Sequence, residues 1–201
     1  AGMSHEIRTP INSIIGFNEL ILRENPSKEI QEYAHNIQNA SKMLLSLVND
    51  ILDLSQLEIQ KMELVETEYD VNAMFRDVVD IIEVRLAEKE LQFHVQIDEN
   101  IPSKLCGDER RVKQVLLNLL SNAVKFTEEG TVNLSCSYET VSEDVIRMTI
   151  SVADTGIGIR KEELETLFDA FRRVDIETNA KIEGTGLGLS ITKHLVDLMG
   201  G

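Results

Sequence analysis

Asn118 and Asn122 stand four residues apart in the run Asn118-Leu-Leu-Ser-Asn122-Ala-Val-Lys125-Phe126-Thr127. On a helix that spacing stacks both amides on one face, with Val115, Leu116, Leu119 and Leu120 opposite. Two amide oxygens on one face suit a hard cation such as Mg2+, whose remaining ligands are water or phosphate. Lys125, one turn on, can reach a phosphate. The same spacing also fits an ordinary amphipathic helix with solvated amides. A second group, Asp154-Thr155-Gly156-Ile157-Gly158-Ile159, follows a strand pattern. A carboxylate there only accepts hydrogen bonds, so it can read the exocyclic amine of adenine. The two glycines let backbone approach a flat ring, although a lone Gly-x-Gly is found in many turns.

A third group, Gly184-Thr185-Gly186-Leu187-Gly188-Leu189, opens a helix. Bare N–H groups at the positive end of a helix suit a polyphosphate. A dinucleotide-binding turn would follow directly on a strand, and none precedes this one. Between the second and third groups lie Phe168, Phe171, Arg172, Arg173 and Asp175. The two Phe are either core or the anchor of a polar loop lying over a nucleotide.

The elements that must position these groups follow from periodicity. Residues 3–64 read as helix, broken once near Asn25-Pro26-Ser27, where Ser27 and Glu29 can cap the second half. Ile30, Ile37, Leu44 and Ile51 recur every seven residues, with Tyr33, Ala40, Leu47 and Leu54 three places after each. Ile7, Ile14 and Ile21 repeat the period in the first half, an a/d seam. Two helices with such stripes predict an antiparallel hairpin that pairs into a dimeric four-helix bundle. The alternative is a hairpin lying on its own C-terminal half.

From residue 65 the pattern changes to strand 65–69, helix 71–89, strand 91–97 and a helix from an Asp108 cap to Phe126. Strands 131–138 and 145–154, a helix over 161–168, a polar stretch 172–184 and a last helix 186–199 complete it. This order predicts an α/β sandwich, a mixed sheet with helices on one face.

Composition narrows the partners. The formal net charge is −15, aromatics are 4% and Trp is absent, which argues against nucleic acid. An anionic ligand must be held by local cations, helix ends or a metal. Cys106 and Cys136 have no metal-ligand spacing and are expected to be reduced, buried thiols. No apolar run reaches the ~18 residues of a bilayer crossing. This segment is therefore expected to be cytoplasmic and to touch no membrane, any anchor lying elsewhere in a longer parent.

Taken together, in their order and spacing, these groups resemble the histidine kinases of two-component signalling. Residues 118–127 resemble the N box, 154–159 the first glycine box, 168–175 the F box and 184–189 the second glycine box. Ser4-His5-Glu6-Ile7-Arg8-Thr9-Pro10 resembles the H box. The resemblance covers essentially the whole chain. It implies a dimerisation and phosphoacceptor domain over 1–64 and an ATP-binding catalytic domain of GHKL ATPase type over 65–201.

By that resemblance His5 attacks the γ-phosphate of ATP, Glu6 orients the ring and takes its proton, and Thr9 serves dephosphorylation of the partner. Asn122 is the main Mg2+ ligand and Asn118 a weaker one. Lys125 and Arg173 contact phosphates, Asp154 the adenine, and Gly184, Gly186 and Gly188 the phosphate-facing lid. Phe126, Gly156, Gly158, Ile159, Thr185, Leu187 and Leu189 complete the nucleotide site. The implied partners are a second copy of the chain and the receiver domain of a response regulator. ATP-hydrolysing relatives of the same fold carry Glu where this chain has Asn118, which cannot act as a base; transfer to histidine is favoured over hydrolysis. The family usually continues with two further strands beyond the position of Gly201, so the domain over 65–201 is expected to lack the strands that finish its sheet. His35, His94 and His194 match no motif.

Overall fold

The computed structural model describes residues 2–58, 62–87, 89–172 and 185–201, with side chains from residue 7 onward and without those of 56–58. Ala1–Met62 and Glu63–Gly201 form two compact units.

In the first unit, α1 (Gly2–Arg23) runs unbroken through Pro10, and α2 spans Lys28–Glu58. Asn25 takes left-handed backbone (φ 50°) in the connection, and Ser27 Oγ accepts from Ile30 N at 3.5 Å, as a cap does. The helix expected to reach residue 64 does not: Met62–Glu66 is irregular. Two contacts make the hairpin antiparallel. Arg8 Nε donates to Asn49 Oδ1 at 2.9 Å, and the buried Asn18 Nδ2 donates to the Ala34 carbonyl at 2.7 Å.

The seam between α1 and α2 is not the line of Ile30, Ile37, Leu44 and Ile51, although Leu54 from the second line of the heptad is buried. Ile11, Asn18, Ala34 and Ser41 are buried, flanked by half-buried Ile15, Leu22, Leu45, Val48 and Leu52. Small residues at 34 and 41 let the backbones close up. Ile7, Ile14, Ile21, Ile30, Ile37, Leu44 and Ile51 are each 40–49% exposed. The hairpin thus carries a second, uncovered apolar face.

The second unit begins with β1 (Thr67–Asp70), α3 (Val71–Ala87), β2 (Gln92–Ile97), β3 (Lys104–Gly107) and α4 (Glu109–Phe126). β4 (Thr131–Ser142), β5 (Val145–Asp154), α5 (Lys161–Leu164) and α6 (Gly188–Leu198) follow. β2 pairs parallel to β4, which pairs antiparallel to β5, so the three-stranded sheet is mixed. β3 has no counterpart in the expected elements; it pairs antiparallel with β1, Tyr69 opposite Leu105. The helix expected over 161–168 ends at Leu164 and continues as turns.

Along β4, Val132, Leu134 and Cys136 are buried, while Asn133, Ser135 and Ser137 alternate to the other face. Ile146, Met148, Ile150 and Val152 of β5 pack against the same core. That face is covered by α3 through Met74, Phe75, Val78 and Ile82, and by α4 through Leu116, Leu120, Ala123 and Val124. Each such fully buried aliphatic side chain contributes about 1.5–3 kcal/mol over its exposed state. The core therefore presses one face of α4 onto the sheet and turns Asn118 and Asn122 away from it. Leu120→Ala should lower the unfolding free energy by about 2–5 kcal/mol in a urea titration.

Cys106 is exposed rather than buried, because β3 is short and alternates outward; Cys136 lies in the core. Burial, with Asp98 adding to it, pushes the Cys136 thiol up to about 11. A thiol-specific reagent at pH 8 should therefore label Cys106 alone in the native chain, and both cysteines only after denaturation.

Candidate functional site

α4 starts from Asp108, which accepts from Arg111 N at 3.1 Å and, with its other oxygen, from Val65 N at 3.0 Å. It ends at Thr127, where the backbone turns extended and the Thr127 N–H closes on the Ala123 carbonyl at 3.1 Å. Asn118, Asn122 and Lys125 are half-buried along one side of it. The half-buried Asn122 side chain enters no hydrogen bond among the described residues. Asn118 is engaged: its Nδ2 donates to Thr192 Oγ1 on α6 at 2.6 Å. The ammonium of Lys125 sits 4.8 Å from the centre of the Phe126 ring.

The loop after β5 folds back on the end of α4. Ile157 N donates to the Phe126 carbonyl at 3.3 Å, and Gly156 N donates to Asp154 Oδ1 at 2.9 Å. Thr155 pairs twice with Thr131, its N–H on the carbonyl at 3.1 Å and its Oγ1 accepting from the N–H at 3.0 Å. A Cβ at Gly156 would collide with the Phe126 carbonyl oxygen. That glycine is required by the contact of loop and helix. Asp154 is exposed beside it, and the apolar Ile157 and Ile159 are exposed to either side.

α6 approaches the same helix from its N-terminus. A Cβ at Gly188 would strike the Asn118 amide, so glycine there lets the α6 start lie against α4. Leu187 and Ile191 are buried, Leu189 is half-buried, and Thr185 Oγ1 accepts from Leu187 N at 3.1 Å. Gly186 takes left-handed backbone (φ 72°) against the carbonyl of Arg172. The two Phe are not core: Phe168 and Phe171 are both exposed, and the Lys193 ammonium lies 5.6 Å from the Phe168 ring centre.

Three of the expected groups thus meet at α4. Asn118, Asn122, Lys125 and Phe126 lie on the helix; Asp154, Gly156, Gly158 and Ile159 form the loop against its end. Thr185, Gly186, Leu187, Gly188 and Leu189 lead into α6. Arg173 and Gly184 lie outside the described residues. His5 and Glu6 fall in the first helical turns of α1, their side chains outside the described residues, and Thr9 is exposed one turn on. His194 Nδ1 meets the Ser190 carbonyl of its own helix at 2.7 Å, and His35 and His94 are exposed. Thr192, which fixes Asn118, and Thr131, which fixes Thr155, were hidden from sequence reading; neither belongs to a spacing pattern.

Residues 1–60 match the family described as "His Kinase A (phospho-acceptor) domain". Residues 107–201 match "Histidine kinase-, DNA gyrase B-, and HSP90-like ATPase". The chain belongs to the histidine kinases of two-component signalling. It is 38% identical over its full length to sensor histidine kinase GacS of Pseudomonas protegens, covering 22% of that protein. It is 35% identical to BarA of Escherichia coli, again over its full length and 22% of the relative. Hybrid signal transduction histidine kinase A of Dictyostelium discoideum is 38% identical, and 10% of it is covered. The chain therefore spans a minor part of the length of these relatives. Among solved structures, full-length ShkA in complex with AMPPNP superposes with a TM-score of 0.79 at 35% identity, over all of this chain and 40% of ShkA. Histidine kinase AdeS of Acinetobacter baumannii gives 0.62 at 26% identity, over 96% of this chain and 86% of AdeS. Among the described residues no helix of this kinase is long and apolar enough to cross a membrane.

The two asparagines should separate experimentally. Asn118→Ala removes the tie to Thr192 and should destabilise the second unit by about 1 kcal/mol in a denaturant titration. Asn122→Ala breaks no internal bond and should stay within about 0.5 kcal/mol of the native chain.

Proposed function

We propose that this histidine kinase core binds ATP and Mg2+ at the end of α4 and phosphorylates itself on His5. It then passes the phosphoryl group to an aspartate of a receiver domain. One observation carries the reading: α4 and the 154–158 loop are joined through Phe126 and Ile157, yet Asn122 and Asp154 beside that junction remain open. Asp154 spends one oxygen on its own loop and keeps the other to accept from the adenine amine. Ile157 and Ile159 give the ring an apolar border.

Among the described residues no three His, Cys, Asp or Glu side chains converge. A metal here would be held by the Asn122 amide and phosphate oxygens, a donor set that fits Mg2+. When bound, Mg2+ offsets the negative charge that develops on the phosphates. Lys125 adds a cation from the chain itself, in a protein whose net charge is −15.

The neutral imidazole of His5 has one nitrogen with a lone pair and one with a proton. The lone pair attacks the γ-phosphorus, the bond to the β-phosphate bridging oxygen breaks, and ADP leaves with that electron pair. Glu6 takes the proton from the other nitrogen. A receiver carboxylate oxygen then attacks the same phosphorus, Glu6 returns the proton to the ring, and neutral imidazole leaves with the electron pair of the broken P–N bond. With Asn118 bound to Thr192 there is no carboxylate at that position to activate water. Thr9, one turn from His5, supports a phosphatase activity toward the receiver.

The exposed apolar face of the hairpin is the surface on which a second copy completes a four-helix bundle. Both units work on the cytoplasmic side.

Incubation with γ-labelled ATP and Mg2+ should give acid-labile, base-stable label on the native chain and none on His5→Gln or Asn122→Asp. Label that persists on His5→Gln would refute the phosphoacceptor. Leu44→Asp should shift the sedimenting species from dimer to monomer; a dimer that survives it would place the interface elsewhere.

A further inference from the structure

The last turn of an α-helix leaves carbonyls without donors. In α4 the Ala123 carbonyl is met by Thr127 N and the Phe126 carbonyl by Ile157 N. No glycine follows to close a Schellman turn. The Val124, Lys125 and Thr127 carbonyls are instead all met by one side chain. Lys89 Nζ lies 2.9, 3.0 and 3.1 Å from them. An ammonium has three donors, and here all three are used. The positive charge also faces the negative end of the helix dipole.

Lys89 is aimed there by a tight turn. Its N–H caps α3 on the Leu86 carbonyl at 3.0 Å, and Glu90 follows in left-handed backbone (φ 54°) before Gln92 N reaches the Gly130 carbonyl at 3.0 Å. The clamp therefore ties the α3–β2 connection to the residues on which the nucleotide site is built. Lys125 lies inside the clamped turn, and the neighbouring Phe126 carbonyl holds Ile157.

We propose that Lys89 is a positioning residue of the nucleotide site, fixing the last turn of α4 so that Lys125 and the 154–158 loop are in register before ATP arrives. This rests on the ATP-binding reading above. Lys113 provides the comparison. It bridges Asp77 and Glu109 at 2.6 and 2.7 Å, also between α3 and α4, but at the opposite end of α4.

The test is titration calorimetry of Mg·ADP into the native chain, Lys89→Met, Lys89→Arg and Lys113→Met, with melting temperatures measured alongside. Loss of charged hydrogen bonds at the site should raise the Kd of Lys89→Met about tenfold. Lys89→Arg, whose planar fork can reach only some of the carbonyls, should fall between it and the native chain. Lys113→Met should bind as the native chain does even where it melts as low as Lys89→Met. Native affinity in Lys89→Met, or an equal loss in Lys113→Met at matched melting temperature, would overturn the assignment. If Lys89→Met does not fold, native affinity in Lys89→Arg overturns it and an intermediate affinity supports it. A native chain that binds no Mg·ADP overturns the ATP reading itself, and the positioning role with it.

Discussion

A helix that keeps polar side chains open near its C-terminus, as α4 does those proposed for the nucleotide, must dispose of its final carbonyls without burying those side chains. That constraint organises the second unit. The carbonyls of residues 123–127 are taken by donors from three places: Thr127 N–H meets that of Ala123, the Lys89 ammonium before β2 those of Val124, Lys125 and Thr127, and Ile157 N–H after β5 that of Phe126. Two segments distant in sequence are thereby gathered on one turn. The apolar side of α4 is fixed independently by Leu116, Leu120 and Val124 against the sheet. Packing sets the position of the helix, and polar contacts set the geometry of its end. The glycines belong to the same logic, since Gly156 and Gly188 are the places where other backbone must come closer to α4 than a Cβ allows.

The first unit solves a different problem. α1 and α2 each have two apolar stripes. One, built on Ile11 and Asn18 against Ala34 and Ser41, closes the hairpin with small and polar side chains. Asn18 sets the register by bonding the Ala34 carbonyl, since a slip would leave a buried amide unpaired. The stronger stripe, all Ile and Leu, faces outward. With the proposed second copy on that outward stripe, the hairpin would bury its weak surface within the chain and its strong surface between chains, and its stability would depend on association.

What the sequence made legible follows the range of the signal. The seven-residue repeat of Ile30, Ile37, Leu44 and Ile51 announced a stripe, because many residues contribute to one period. It could not say that the stripe avoids α1, since the seam at Ala34 and Ser41 has no hydrophobic signature. α3, α4 and β5 were placed within a few residues. β3 was missed because four residues show too little alternation and its partner β1 lies far upstream in sequence, Tyr69 standing opposite Leu105. Cys106 was misplaced with it. The nucleotide-site groups were read from local motifs, but the contacts that hold them come from Thr131, Thr192 and Lys89. Single polar residues at long range carry no periodicity, so only the folded chain reveals them.

The central claim is that the end of α4 and the 154–158 loop form one platform before nucleotide arrives. Amide hydrogen exchange on the nucleotide-free chain tests it residue by residue. Thr127, Thr155 and Ile157 should exchange as slowly as the ladder between β4 and β5, with little added protection from ADP. Exchange of Thr155 and Ile157 at the rate of an open loop, slowed only once ADP is present, would contradict it.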